Sequence, residues 1–426
     1  MKYTLGIDTG TTSVSMSAIS ESRQVLDSIT ANHEAFIPGD FPESRVQDPA
    51  RILSIVMAGL ESLTAKYGQP SAIGLTGQMH GILYVDSRGE SVSPLYTWQD
   101  STGNDSLPIL RSHGLKVSPG YGTSTHFSLQ RSGKIPHNAA KFTTISDYIA
   151  MKLCGNDSPV LSAEMAAGLG CFDVRERSFM FDRLEAAGVN VSYFPETVRG
   201  YKVVGETGTG VPVVCSMGDN QASFMGAVDD EESSLLLNIG TGSQVSFMTR
   251  EFADAGGDIE LRPYGEGYLL AGSALCGGRA YAMLEGFYRE IAGRSCYDVM
   301  ARHAEDFLNS HGLSQSWDVD TRFNGTRSNP EITGSITGIT AGNFTPGAFT
   351  VGVMRGIIGE LHAMYREMSR ITGRKAGAIV GSGNGLRKNS IMRRIAGEIF
   401  GLEVRVPEYQ EEAARGAAMC AMNTVI

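Results

Sequence analysis

The feature that constrains this chain most is that it makes the same local statement twice. Residues 3 to 20 read as an extended segment, a Gly/Thr turn and a second extended segment, with Val14, Met16 and Ala18 alternating against Ser13, Ser15 and Ser17. The turn is Asp8-Thr9-Gly10-Thr11-Thr12. Residues 233 to 249 repeat the arrangement: Leu235-Leu236-Leu237-Asn238-Ile239 enters Gly240-Thr241-Gly242-Ser243, and Val245 and Phe247 alternate on exit. Each hairpin is followed by a helix and a glycine-ended strand. Ile52, Val56, Leu60 and Leu63 space the first helix before Ala72-Ile73-Gly74-Leu75-Thr76-Gly77. Ile357, Ile358, Leu361, Met364, Tyr365 and Met368 space the second before Ala378-Ile379-Val380-Gly381-Ser382-Gly383. This is the pattern of a duplicated α/β unit. A length of 426 residues also exceeds what one hydrophobic core serves. The acidic cluster Asp229-Asp230-Glu231-Glu232 marks the connection, giving expected domains of 1–228 and 229–426. Further helices are expected from about Leu386, stopped by Gly401 before a short strand at 403–406, and over Glu411 to Met422.

Composition narrows the partners. With 42% hydrophobic and 19% charged residues the chain is globular, and its formal charge of -10 argues against nucleic acid and anionic lipid, so an anionic ligand must be bound locally. The N-terminus lacks a signal peptide's apolar stretch and no run of about 18 apolar residues occurs, so the chain reads as cytoplasmic, with no membrane partner. The six cysteines are scattered without zinc spacing and read as buried reduced thiols.

A turn of Gly, Thr and Ser between strands offers backbone N–H groups and hydroxyls on a concave surface, which binds phosphate oxygens without net positive charge. Two such turns could clamp a triphosphate. Neither is a Walker loop, because no G-x-x-x-x-G-K-[ST] occurs. Gly381-Ser382-Gly383-Asn384-Gly385 only superficially resembles a dinucleotide fingerprint, its third glycine being misplaced, and reads instead as a place for a flat base. Asp8 ends a buried-looking strand, where a carboxylate is costly unless it is paired or holds a cation. Asp219, in Met217-Gly218-Asp219-Asn220-Gln221-Ala222-Ser223, follows the apolar run 211–215 and is a candidate general base. Gln78-Met79-His80-Gly81 and Tyr96-Thr97-Trp98-Gln99-Asp100 combine amides, imidazole, indole and carboxylate, a mixture suited to a polyol.

These segments together resemble the FGGY carbohydrate kinases: Gly6-Ile7-Asp8-Thr9-Gly10-Thr11-Thr12-Ser13, Gly74 to Gly81, Trp98-Gln99-Asp100, Gly218 to Ser223, Asn238 to Ser243 and Gly381-Ser382-Gly383 run in the family's order over essentially the whole chain. The resemblance implies two actin-like (ribonuclease-H-like) α/β domains related by duplication, with a nucleotide cleft between them. It implies a sugar-binding first domain and a nucleotide-binding second. It also implies ATP-dependent phosphorylation, with Mg²⁺, of the terminal primary hydroxyl of a ketose. Members acting on sedoheptulose are the most similar in appearance, through Ser146-Asp147-Tyr148 before Leu153-Cys154-Gly155, Gln221-Ala222-Ser223 and Arg387-Lys388-Asn389, with xylulose or another pentulose next.

By the same resemblance Asp8 belongs near the metal and γ-phosphate, Thr11, Thr12 and Ser13 to the first phosphate turn, and Gly240, Thr241 and Gly242 to the second. Asp219 is the catalytic base, and Gln78, Met79, His80, Trp98, Asp100, Asn220 and Gln221 are the substrate-binding set. Gly381, Gly383 and Asn384 form the adenosine turn. Two departures bear on Trp98 and Asp100: Thr102 stands where many members carry arginine, and Thr326 where many carry glutamate before Arg327. The expected partner is a small-molecule ketose, and a homodimer is the assembly considered. A rival from another class is an actin-like nucleotide switch, which needs the turns but not the sugar residues.

Overall fold

The computed structural model describes residues 2–41 and 43–425. The chain divides into two compact units. The first comprises Met1–Gly226, Arg262–Glu266 and Tyr409–Ile426. It opens with an antiparallel run of β1 (Tyr3–Thr9), β2 (Ser13–Ser20) and β3 (Val25–Asn32). β1 is buried at nearly every position, as a strand covered on both faces should be, and β3 is half-buried or exposed, as an edge strand should be. Helix α1 (Pro49–Tyr67) starts where the Asp48 side chain accepts from the Ala50 amide, with Pro49 in its first turn, and buries Ile52, Val56 and Leu63. It returns the chain so that β4 (Ile73–Gly77) runs parallel to β1, Asp8 beside Thr76 and Thr9 beside Gly77.

Among the later elements of this unit, those that frame the site are α2 (Ile145–Cys154), α3 (Ala163–Gly168), β5 (Val203–Glu206), β6 (Pro212–Val214), β7 (Met217–Gly218) and α4 (Asp219–Ala227). The sheet order is β5-β6-β4-β1-β2-β3, and β7 also pairs with β4, Met217 beside Thr76 and Gly218 beside Gly77.

The second unit comprises Ala227–Leu261 and Gly267–Glu408. Its elements begin with β8 (Ser234–Ile239) and β9 (Ser243–Thr249), the second hairpin. β10 (Ile259–Tyr264), whose last three residues count with the first unit, β11 (Gly267–Ala274), α5 (Gly278–Ala292) and α6 (Tyr297–His311) follow, none of them among the expected elements. The long α7 (Pro346–Thr372) buries Ile357, Ile358, Leu361, Met364, Tyr365 and Met368, the residues whose spacing predicted it. Then come β12 (Ala378–Ser382), the short α8 (Asn384–Arg387), α9 (Ser390–Phe400) and β13 (Val404–Arg405). The order is β10-β11-β9-β8-β12-β13, with β12 parallel to β8. The duplication is thus visible in register: Asp8, two residues before Gly10, lies beside Thr76 in one unit, and Asn238, two residues before Gly240, beside Ser382 in the other. In each, the hairpin turn and the glycine after the next strand share the carboxyl edge of parallel strands, where α/β sheets place ligands.

The last helix, α10 (Glu412–Val425), explains why residues 409–426 belong to the first unit, although the sequence reading placed all of 229–426 in the second domain. A Cβ on Gly6 would lie 1.8 Å from the Ala414 carbonyl oxygen, and one on Gly74 1.9 Å from that of Ala417. A Cβ on Gly226 would lie 1.9 Å from the Glu412 oxygen, and one on Gly416 1.9 Å from that of Ala222. Helix α10 meets β1, β4 and α4 backbone to backbone, which at these four positions only glycine permits. No helix among the described residues is long and apolar enough to cross a membrane, and the six cysteines are free thiols.

Candidate active site

The first turn, Thr9 to Ser13, has its carbonyls drawn inward. His33 Nε2 donates to the Gly10 carbonyl at 3.2 Å, Gln47 Nε2 to the Thr11 carbonyl at 2.7 Å, and the His33 amide to the Thr12 carbonyl at 3.1 Å. His33 Nδ1 accepts from the Ala35 amide at 3.1 Å, which puts the ring proton on Nε2, and burial holds the ring below its ordinary pKa, so it remains a neutral donor. Carbonyl oxygens repel a phosphate. Tying them back leaves the outer side of the turn, where Thr12 is exposed, compatible with an anion. Trp98, 47% exposed, donates from Nε1 to Thr11 Oγ1 at 3.0 Å and so adjoins this turn.

Asp8, half-buried, sits one residue before the turn in a row with Thr76 and Met217. Asp219, two residues past Met217, opens α4 with an exposed side chain, and its Oδ1 accepts from the Asn220 amide at 2.6 Å. Burial pushes the Asp8 carboxyl up to about 7, and the charges of Asp219 and Glu411 push in the same direction. The structure therefore brings the expected metal residue and the expected base into one electrostatic neighbourhood. That field suits a cation. Among the described residues no group of three or more His, Cys, Asp or Glu side chains is disposed to hold a metal alone. A Mg²⁺ at Asp8 would complete its shell with phosphate oxygens and water, its usual habit in nucleotide sites.

The backbone leading into Asp219 is held residue by residue. Ser162 Oγ donates to the Ser216 carbonyl at 2.6 Å, Thr76 Oγ1 to the Met217 carbonyl at 2.9 Å, and the Gly218 amide donates to Glu164 Oε2 at 3.1 Å. Ser162 caps α3 and Glu164 lies in its first turn. At the other end of the same helix the Gly168 carbonyl accepts from His80 Nδ1 at 2.5 Å. One six-residue helix thus fixes both the approach to the base and the imidazole of the sugar motif. Because a carbonyl only accepts, Nδ1 carries the ring proton, and in the neutral ring Nε2 is an acceptor. His80 also stacks on Tyr121, ring centroids 4.6 Å apart.

Other members of the expected substrate set are turned inward. Gln78 is buried, its Nε2 donating to Gln47 Oε1 at 2.9 Å and to the Gly10 carbonyl at 3.4 Å, so its amide braces the first turn. Met79 packs in a hydrophobic core, where a Cβ on Gly168 would come within 2.8 Å of its Cε. Asp100 is buried and fully occupied: Oδ2 accepts from the Arg45 amide at 2.7 Å and Ser44 Oγ at 3.1 Å, and Oδ1 from the Thr102 amide at 2.8 Å. It ties its loop together and presents no carboxylate to a ligand; Thr102, where many family members carry arginine, supplies a backbone amide to that knot. Gln221 is wholly buried and donates to the Pro263 carbonyl at 3.1 Å, with its Oε1 under Gly218. Asn220, beside the base, is buried as well. His33, Gln47 and Glu164 escaped the sequence reading because they act across 23, 36 and 54 residues of chain with no local pattern to mark them.

In the second unit the Gly240-Thr241-Gly242 turn shows the same device with different donors. The Gly278 amide donates to the Gly240 carbonyl at 2.9 Å and the Arg279 amide to the Thr241 carbonyl at 3.0 Å, using orphan N–H groups at the start of α5. Gly277 and Gly278, also missed in sequence, allow the approach: a Cβ on Gly278 would stand 2.4 Å from the Gly240 oxygen. Gly240 and Thr241 are exposed. Gly383, at φ +76°, caps α8, and a Cβ there would meet the Ile239 oxygen at 2.5 Å, so this turn also needs glycine. Asn384 follows it, exposed. Gly381 differs from expectation. It is buried within β12, where a Cβ would meet Val404 and Leu386 at 3.0 and 3.1 Å, so it serves packing behind the turn.

Comparison with known proteins bears on the whole chain. The model of the FGGY family of carbohydrate kinases, N-terminal domain, matches residues 3–226, and that of the C-terminal domain matches residues 235–425. Sedoheptulokinase of Mus musculus is 28% identical, over 98% of this chain and 96% of that protein. Xylulose kinase of Lactococcus lactis is 24% identical, over 99% and 87%. The crystal structure of xylulose kinase from Rhodospirillum rubrum aligns with TM-score 0.84 at 18% identity, covering 99% of this chain and 88% of that one. Plasmodium falciparum glycerol kinase with ADP aligns at 0.81 and 17%, covering 99% and 89%. The family models and the relatives, on this fold, mark an ATP-dependent sugar kinase. The chain belongs to the FGGY family of carbohydrate kinases. That membership disposes of the nucleotide switch without sugar kinase activity.

Proposed function

We propose that the protein transfers the γ-phosphoryl group of ATP to the terminal primary hydroxyl of a ketose, with sedoheptulose as the preferred acceptor and sedoheptulose 7-phosphate as product. The observation that carries the reading is Asp219: an exposed carboxylate at the head of α4, with each backbone residue before it pinned, in the electrostatic neighbourhood of Asp8. Asp219 accepts the hydroxyl proton as the sugar oxygen attacks phosphorus. The outer faces of the two turns, at Thr11, Thr12 and Ser13 and at Gly240, Thr241 and Gly242, stabilise phosphate oxygens through N–H and hydroxyl groups. Gly383 and Asn384 form the adenosine turn. Asp8 would hold a Mg²⁺ together with the phosphates, and that ion would supply positive charge against the transferred group.

His80 accepts a sugar hydroxyl at Nε2 while Gly168 fixes its ring, and Trp98, beside Thr11, supplies an indole surface next to the first turn. The choice of a seven-carbon acceptor is supported by the two sedoheptulokinase relatives, mouse and human, at 28% and 27% identity over nearly their full length. A pentulose is the second reading, favoured by the xylulose kinase relatives. The test is ADP release with ATP and Mg²⁺ across five-, six- and seven-carbon ketoses. The proposal expects the highest kcat/KM with sedoheptulose; a tenfold preference for D-xylulose would transfer the assignment to the pentulose, and no stimulation by any ketose would end it.

A further inference from the structure

We infer that Glu164 is a positioning residue for Asp219, one carboxylate oxygen gripping the Gly218 amide while the other is anchored by Tyr201 and Gly265. The inference rests on the reading of Asp219 as the base. Glu164 is 2% exposed, and of its three donors Tyr201 and Gly218 belong to Met1–Gly226 and Gly265 to Arg262–Glu266. Oε2 accepts from the Gly218 amide at 3.1 Å. Oε1 accepts from the Gly265 amide at 3.0 Å and from the Tyr201 hydroxyl. Burying a carboxylate is costly, and burial pushes this one up to about 7 against the pull of those donors. An apolar side chain would fill the same space at less cost, so what the carboxylate adds is two-sided acceptance.

Gly218 is where that matters. It directly precedes Asp219, and glycine leaves the backbone its widest freedom. A side chain there would displace the buried Gln221, since a Cβ would fall 2.3 Å from its Oε1. The direction in which Asp219 leaves the sheet is therefore set by what holds Gly218: its pairing with β4 beside Gly77 and, at its amide, Glu164. Glu164 also fixes the segment Arg262–Glu266, whose Gly265 and Glu266 carbonyls accept from Arg177 and whose Pro263 carbonyl accepts from Gln221. Base and returning segment are thus referred to one carboxylate.

The test uses the full-length enzyme with ATP, Mg²⁺ and sedoheptulose, or D-xylulose if that is the better acceptor. Glu164→Gln keeps the shape but turns one oxygen into a donor, so one side of the grip is lost. The expected result is a fall in kcat of about ten- to hundredfold, the cost of a misplaced catalytic group, with KM for ATP and ketose within about twofold. If that variant does not fold, Tyr201→Phe loosens the anchor and leaves the Gly218 bond; kcat should then fall several-fold at unchanged KM. Ile52→Val, a buried change in α1 that lowers stability only mildly, should leave kcat untouched. Full kcat in a folded Glu164→Gln, or in Tyr201→Phe where Glu164→Gln does not fold, overturns the inference, as does an equal loss in Ile52→Val. If Asp219→Asn is inactive while Glu164→Gln is fully active, only the positioning role falls. If Asp219→Asn keeps its turnover, the base assignment itself is what fails.

Discussion

His33 holds the carbonyl of Gly10 through a ring nitrogen fixed as a donor, at 3.2 Å. The Gly278 amide does the same for the carbonyl of Gly240 at 2.9 Å. The two halves reach one solution, carbonyls tied inward and the outer face left to donors, by unrelated means: a side chain in one and a helix start in the other. The shared result, which neither sequence motif encodes, is what makes a Gly/Thr turn suitable for phosphate.

If that is the role of His33, His33→Phe should leave the Gly10 carbonyl only its longer bond from Gln78 and weaken ATP binding by about 1 kcal/mol, the worth of one hydrogen bond, or several-fold in Kd. Titration calorimetry with a non-hydrolysable ATP analogue checks it. Unchanged affinity in a folded variant would detach the first turn from the nucleotide.

In the second turn the choice of glycine decides whether a substitution is informative. A Cβ on Gly242 would stand 3.0 Å from the Ala274 carbonyl, so Gly242→Val strains the fold as well as any phosphate contact. At Gly240 the nearest atoms are 3.9 and 4.0 Å away. Gly240→Ala should melt close to the wild-type temperature yet bind ATP at least tenfold more weakly, read by the same calorimetry. Wild-type affinity would mean that the phosphates do not approach this backbone.

For His80 the expectation is a tenfold to hundredfold loss of ketose kcat/KM on substitution by alanine, roughly 1 to 3 kcal/mol for a sugar hydroxyl left unpaired. Background ATP hydrolysis should hardly change. Losing its ring contacts with Gly168 and Tyr121 will lower the melting temperature somewhat. A destabilised variant with unchanged ketose KM would remove His80 from the site.

Much of this was legible in the sequence, and the limits have physical causes. The hairpins, α1, α7 and the final helix announce themselves by alternation or helical spacing, which are local. The duplication follows because the two runs can be laid side by side. What could not be read depends on which distant segments meet: α10 reveals its docking on β1 and β4 only through Gly6 and Gly74, and Asp100 has the look of a ligand until the Arg45 and Thr102 amides are found on it. Gly381 and Gly383 are alike in the motif, yet one faces Val404 and the other closes on Ile239.

A stability prediction follows from His126, buried among Phe142, Tyr193 and Phe194, with Tyr84 Oη 2.7 Å from Nδ1 and the Asn190 carbonyl 3.1 Å from Nε2. Burial lowers its pKa from 6.5 to about 4. Between those values the unfolded chain binds a proton that the folded one refuses. The contribution is therefore full above pH 6.5 and is lost as pH falls through 4, on the order of 3 kcal/mol. Melting curves from pH 7 to 4 should fall less steeply for His126→Phe than for the wild type, and parallel curves would contradict the assignment.

The most direct test of phosphoryl transfer to a ketose falls on Asp219. Asp219→Asn preserves the shape at the head of α4 and removes only the proton acceptor. Ketose-dependent ADP release should drop by roughly 10² to 10⁴ while ATP still binds with wild-type affinity. Turnover near that of the wild type, in a folded variant that still binds both substrates, would contradict it.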